Sequence, residues 1–198
     1  MIDEKTATAR AGDTHTVEVP SWVTLVVRGG IAVVPPLILT FSRVSDDTDG
    51  QRWLSLGLFA FGIWAVVSGL VGGALALGSA AARGIRSLIM TSAVVSVTVG
   101  TVALTLPGGE HFFVVFVGLW AGVVGGLECV IGYLRRGVSR DAFVVGGCTL
   151  LLAVIFCAVP CGPLTAVGLV TAYFAIVGVI QLIGGLSVRW ATERIGVT

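Results

Sequence analysis

Arg28, Glu128 and Gln181 are the charged or amide side chains that stand well inside long apolar runs of this 198-residue chain. A carboxylate facing a guanidinium makes an ion pair. A carboxylate alone in an apolar setting can carry a proton, and an amide can offer both donors and an acceptor. Charges at such depth cost a few kcal/mol unless paired or hydrated. Arg28 lies about seven residues into its run, roughly 10 Å at 1.5 Å per residue. Glu128 lies seven residues before Arg135, and Gln181 eight before Arg189. The three therefore fall at one depth, and the sequence predicts that Arg28 and Glu128 pair or share a polar pocket with Gln181 nearby. Three uses of this cluster stay open. It could be an internal ion pair that fixes helix assembly, or Arg28 could extend alone to the interface. It could also mark a path for protons or a substrate.

Other chemistry is sparse. Asp46, Asp47 and Asp49 could offer oxygen ligands to a divalent cation, but the long loop and bidentate glutamate of a dedicated calcium site are absent. A solvated acidic turn, with no metal, is expected. The two histidines are His15, in a polar tail, and His111, beside Glu110. An exposed histidine titrates near pH 6.5, so His111 could sense acid. Cys129, Cys148, Cys157 and Cys161 form no C-x-x-C pair. Three of them sit in apolar runs, where a thiol behaves as a small hydrophobe. Cys157 and Cys161 are one helical turn apart, close enough to consider a disulfide. No nucleophile elbow, zinc-protease helix motif or phosphate-binding glycine loop is present. Glu128 is the one carboxylate inside a span, and one carboxylate cannot do paired acid–base work. The inventory predicts a protein without catalytic residues or cofactor.

The elements that position these residues follow from composition. Hydrophobic residues make up 56% of the chain and charged residues 12%, against roughly 25% charged in soluble domains. Mean hydropathy is +1.01. Glycine accounts for 28 residues, about twice its ordinary ~7% share, and glycine lets membrane helices approach closely. These features predict an all-α polytopic membrane protein whose first partner is the lipid bilayer. No basic tract with interleaved aromatics suggests nucleic acid. Residues 1–20 are polar and mixed in charge, unlike a cleavable signal, and read as a cytoplasmic tail.

Six runs reach the ~20 residues needed to cross ~30 Å of hydrocarbon. They are about Trp22–Ser42, Trp53–Gly78, Arg86–Leu106, Phe112–Leu134, Ala142–Val159 and Pro163–Val188, leaving 190–198 as a second tail. The connections are short, which predicts antiparallel neighbours. Lys5, Arg10, Arg83, Arg86, Arg135, Arg136, Arg140, Arg189 and Arg194 fall on one side, and Arg43 and Arg52 on the other. Positive charge stays inside, so both termini are expected in the cytoplasm. Trp22, Trp53 and Trp190 stand at span ends as interfacial anchors, with Phe112-Phe113 in the same role at the outer face. Pro35-Pro36 falls in mid-span, where a kink or local unwinding is expected.

An internal repeat organises the spans. Trp64-x4-Gly69, Trp120-x4-Gly125 and Tyr173-x4-Gly178 recur on the even spans, and three residues further stand Gly72, Glu128 and Gln181. This spacing is that of a two-helix unit used three times. The first copy has lost the polar side chain, at Gly72. Rows of small residues, Ala65-Gly69-Gly73 and Gly118-Gly122-Gly126, lie four apart and predict close packing, within the bundle or in a homo-oligomer. The even spans carry most of these rows and should lie at the bundle interior.

Arg28-Gly-Gly-Ile-Ala, prolines after the odd spans and the aromatic-x4-Gly-x2-Glu/Gln pattern together resemble the HdeD family of bacterial inner-membrane proteins, built on the DUF308 repeat. The resemblance covers roughly residues 20–188. It implies three hairpin repeats in the bacterial cytoplasmic membrane and a role linked to acid resistance, stress or the cell envelope, without a defined reaction. An accessory subunit of a larger membrane complex is the first functional expectation. A small transporter or channel with its site at Arg28, Glu128 and Gln181 is the second.

Overall fold

The computed structural model of the chain describes residues 21–42, 50–78, 83–106, 108–134 and 140–194. These residues form six helices and no strand: α1 (Ser21–Phe41), α2 (Gly50–Leu77), α3 (Arg83–Thr105), α4 (Glu110–Leu134), α5 (Arg140–Ala158) and α6 (Pro163–Arg194). Five are long and apolar enough to cross a membrane. The apolar part of α5, Ala142–Ala158, is shorter. Helix is the only regular structure open to such runs in lipid, because it satisfies every backbone polar group within the segment.

The tightest partnerships are α2 with α3, α4 with α5, and α6 with α1. The last of these closes the ring, bringing the first and last helices together. Within α1–α2, α3–α4 and α5–α6 the packing is looser. The even helices touch one another, whereas no two odd helices approach within 8 Å between Cα atoms among the described residues. The even helices thus form the inner layer and the odd helices the outer one.

The inner layer is aromatic at its centre. Trp64 meets Trp120 edge-on with ring centres 5.3 Å apart, and Phe174 at 4.5 Å. Phe61 meets Trp120 at 5.1 Å, and Tyr173 stands 6.4 Å from Trp120. Edge-to-face pairs of this kind add about 0.5–1.5 kcal/mol each beyond burial. Trp64, Trp120 and Tyr173, the aromatics of the repeated pattern, are therefore core residues contributed by three different helices. Outside, large apolar side chains such as Leu119, Leu151 and Ile183 are exposed.

Several sequence expectations need correction. α6 runs to Arg194, so the helix continues into the 190–198 segment. Charge ended the apolar run but does not stop a helix, and Arg189 Nε bonds Glu193 Oε1 at 2.8 Å one turn on. Phe113 is not an interfacial anchor: it is 1% exposed in the core. Trp53 and Phe112 are partly buried against the core, the latter stacked on Phe116. Trp190 is exposed, and Trp22 holds the Arg189 guanidinium 5.3 Å from its ring centre. Helix α1 stays helical through Pro35 and Pro36, so of the kink or unwinding expected there the unwinding is absent. Arg52 and Arg83 stand in the first turns of α2 and α3 rather than in the connections before them. Arg86 reaches back to the Leu77 carbonyl at 3.1 Å, satisfying an end carbonyl of α2.

Candidate functional site

Glycine decides where the helices touch. A Cβ on Gly69 of α2 would meet Ala93 O of α3 at 2.8 Å and Val97 N at 3.1 Å. On Gly125 of α4 it would meet Gly146 O of α5 at 3.1 Å and Leu150 N at 2.9 Å. On Gly178 of α6 it would meet Gly29 O of α1 at 3.3 Å and Val33 N at 3.2 Å. At these three glycines of the repeated pattern the contact has one form, which Gly185 of α6 repeats against Trp22 O and Val26 N of α1, both at 3.1 Å: a glycine on an even helix lies against a carbonyl and the amide one turn later on an odd helix. At Gly69 and Gly125 a Cβ would force the backbone to shift, and at Gly178 it would crowd the backbone and displace Val33 Cγ2, which would lie at 2.6 Å.

Gly73, predicted with Gly69, is buried with Ala93 Cβ at 3.5 Å, an ordinary contact. The row Gly118-Gly122-Gly126 is not the tight seam of α4. Gly118 and Gly122 make ordinary contacts with α5, at 3.5 Å and 4.0 Å, and Gly126 has no neighbour within 4 Å. The closest backbone approaches of α4 to α5 are at Gly125 and Gly132. Four-residue spacing identified residues that face α5 but not the tightest points of the seam.

Each contact sets a level from which the polar residues can be placed. Glu128 and Gln181 stand three residues after Gly125 and Gly178, and Arg28 immediately precedes Gly29. Arg28 Nη2 donates to Glu128 Oε1 at 2.7 Å. The Arg28 side chain is 40% exposed and that of Glu128 12%. Helices α1 and α4 have no Cα atoms within 8 Å of each other. The ion pair is therefore a strut, thrown by a long side chain between an outer helix and a non-neighbouring inner one. Gln181 is 5% exposed and makes no hydrogen bond to either partner. At Gly72 a Cβ would have nothing within 4 Å.

A second polar feature was not foreseen. Trp120 Nε1 donates to Ser96 Oγ at 3.3 Å, and the Thr149 and Tyr173 hydroxyls are 2.9 Å apart. Both pairs are buried, and both span 24 residues. Thr149 Oγ1 also donates to the Val145 carbonyl at 2.8 Å. Ser96 and Thr149 each stand three residues beyond the residue, Ala93 or Gly146, that receives the even-helix glycine. The shared 24-residue separation was the available signal. It was obscured because small hydroxyl residues are common in apolar helices and usually bond their own preceding turn, as Thr101 does to Val97 O here.

The remaining sequence-predicted features do not assemble into a site. Among the described residues no group of three His, Cys, Asp or Glu side chains could hold a metal. Asp46, Asp47, Asp49 and His15 lie outside the described residues. His111 is exposed in the first turn of α4. Cys157 and Cys161 are both free, with Cys157 exposed and Cys161 buried, so no disulfide joins them. No protein family, curated protein or solved structure matches the chain.

Proposed function

We propose that the chain is a six-span integral membrane protein built from three repeated helical hairpins, with both termini in the cytoplasm and an accessory, non-enzymatic role. The aromatic cluster of Phe61, Trp64, Trp120, Tyr173 and Phe174 carries this reading. It fills the centre of the inner helix layer with packed rings, where a conduction path along the axis would need polar or open space. Arg28 and Glu128 bond to each other, which uses the strongest polar groups of the interior for assembly. The short α5 spans where the bilayer thins locally to match it. The resemblance to the HdeD family adds a bacterial cytoplasmic membrane and a stress or envelope role, including acid resistance. In this reading the partner is another membrane protein, or a second copy, docked along the lipid-facing side.

Purification of the tagged full-length protein in mild detergent or native nanodiscs tests this. The expected result is a stoichiometric membrane partner or a defined homo-oligomer. A lone monomer from every extraction condition would overturn the accessory reading. The transporter reading is favoured by one observation: Arg28 is 40% exposed beside Glu128, so the pair is not sealed inside the bundle. In that case substrate flux into proteoliposomes would vanish in Glu128→Gln.

A further inference from the structure

Trp64 departs from its counterparts. Its Nε1 is buried with no hydrogen-bond partner, and no other buried side-chain N or O atom among the described residues shares that condition. The indole is 9% exposed. Trp120 and Tyr173 satisfy their polar atoms on Ser96 of α3 and Thr149 of α5. The corresponding position on α1 follows from the glycine contacts. Ser96 lies between Ala93 and Val97, and Thr149 between Gly146 and Leu150, in each case one residue before the amide met by the glycine. On α1 those landmarks are Gly29 and Val33, so the residue is Ala32. It is 2% exposed and has no hydroxyl to offer.

The same stretch of α1 has surplus acceptors. In an α-helix the carbonyls of residues 31 and 32 receive the N–H groups of residues 35 and 36. Both are proline inside the helix and carry no N–H. The Ile31 and Ala32 carbonyls therefore lose their helical donors at the position that the recurring pattern pairs with Trp64. Ala32, Pro35 and Pro36 are all on the buried face of α1. In hydrocarbon no solvent is at hand to satisfy either side, and an unmet polar group costs several kcal/mol. A direct bond from Trp64 Nε1 to a protein acceptor is not made.

We propose that a single buried water joins α2 to α1 at this place. It accepts a hydrogen bond from Trp64 Nε1 and donates its two hydrogens to the Ala32 and Ile31 carbonyls. Three protein partners, one donor and two acceptors, is the ordinary complement of a buried structural water. The first repeat thus exchanges the Ser or Thr hydroxyl of the other two for a water and a proline pair. The inference rests on the recurring contact pattern and is independent of the proposed function.

X-ray radiolytic footprinting of the full-length protein in nanodiscs tests it, because hydroxyl radicals form from bound water and oxidise the side chain beside it. Tyr173, 7% exposed, and Trp120, 3% exposed, are internal controls of similar burial. Trp64 should be oxidised several-fold faster than either, and Ala32→Ser should bring it down to the Trp120 rate by replacing the water with a hydroxyl. Indole-15N NMR supplies a second readout that needs no variant at Ala32. The Trp64 Nε1–H resonance, assigned with Trp64→Phe, should show a cross-peak to water that Trp120 lacks. Trp64 oxidation as slow as that of Trp120 and Tyr173, or a Trp64 resonance without a water cross-peak, would overturn the proposal in favour of a direct Trp64–carbonyl bond.

Discussion

Removing the two partners of the Arg28–Glu128 strut one at a time should have unequal consequences. Arg28→Met leaves the Glu128 carboxylate, whose side chain is 12% exposed, uncompensated among apolar helices. Breaking a buried pair in this way costs about 3–5 kcal/mol when burial is complete. The residual exposure of Glu128 lowers the expectation to about 2–4 kcal/mol. Glu128→Gln leaves a guanidinium that is 40% exposed and carried on a long flexible stem. It can turn toward water or headgroups, so the cost should be about 1 kcal/mol. The double variant Arg28→Met/Glu128→Gln buries no charge and should be more stable than Arg28→Met alone, with a coupling energy of about 1–3 kcal/mol. Reversible unfolding in mixed micelles, read by far-UV circular dichroism, gives all three values. Additive losses in the double variant, or equal losses in the two single variants, would refute the strut and its burial asymmetry.

Neighbouring glycines should behave oppositely. Gly125→Ala and Gly146→Ala place a methyl within 3.1 Å of backbone atoms across α4 and α5, and each should cost about 1–3 kcal/mol as overpacking. Gly126→Ala and Gly147→Ala meet nothing within 4 Å and should be neutral or stabilising by up to about 1 kcal/mol; thermal-shift midpoints distinguish the two sets. Thr149→Val keeps shape but leaves the Tyr173 hydroxyl buried without its partner, an expected loss of about 1–2 kcal/mol, whereas Thr101→Val, on an exposed position, should change stability little. Cys157 is exposed and Cys161 buried, both free. Maleimide should therefore label Cys157 first without reductant, and mass spectrometry that found them oxidised together would contradict the structure.

Hydropathy and turn residues located the helices to within a few residues, because the cost of unsatisfied backbone in lipid leaves no competing structure. The inward faces were much harder to read. In a membrane the outside of a helix is as apolar as the inside, so polarity does not mark the buried face. On α4, Val117 and Val124 are buried while Val115 and Val123 are exposed, and no chemical difference separates them. Residue size carries the information instead. The aromatic-x4-Gly pattern found Gly69, Gly125 and Gly178, inner-helix glycines that meet a neighbouring backbone in one common way, but not Gly185, which does the same. The four-residue row Gly118-Gly122-Gly126 meets α5 through Gly118 and Gly122 at ordinary van der Waals distance, without the close backbone approach of Gly125. Arg28 and Glu128 were legible as a pair because charge at equal depth has few ways to be satisfied. Ser96, Thr149 and Ala32 were not, since their roles depend on which odd helix packs beside which even one. The closing contact of α6 on α1, between the two ends of the described chain, has no local signal in the sequence.

Proton and ion flux through proteoliposomes bearing the wild-type protein and Glu128→Gln tests the central claim of a packed, accessory bundle most directly. The account predicts background flux in both preparations, with the variant still folded. Flux above empty vesicles in the wild type that is abolished by Glu128→Gln would contradict it.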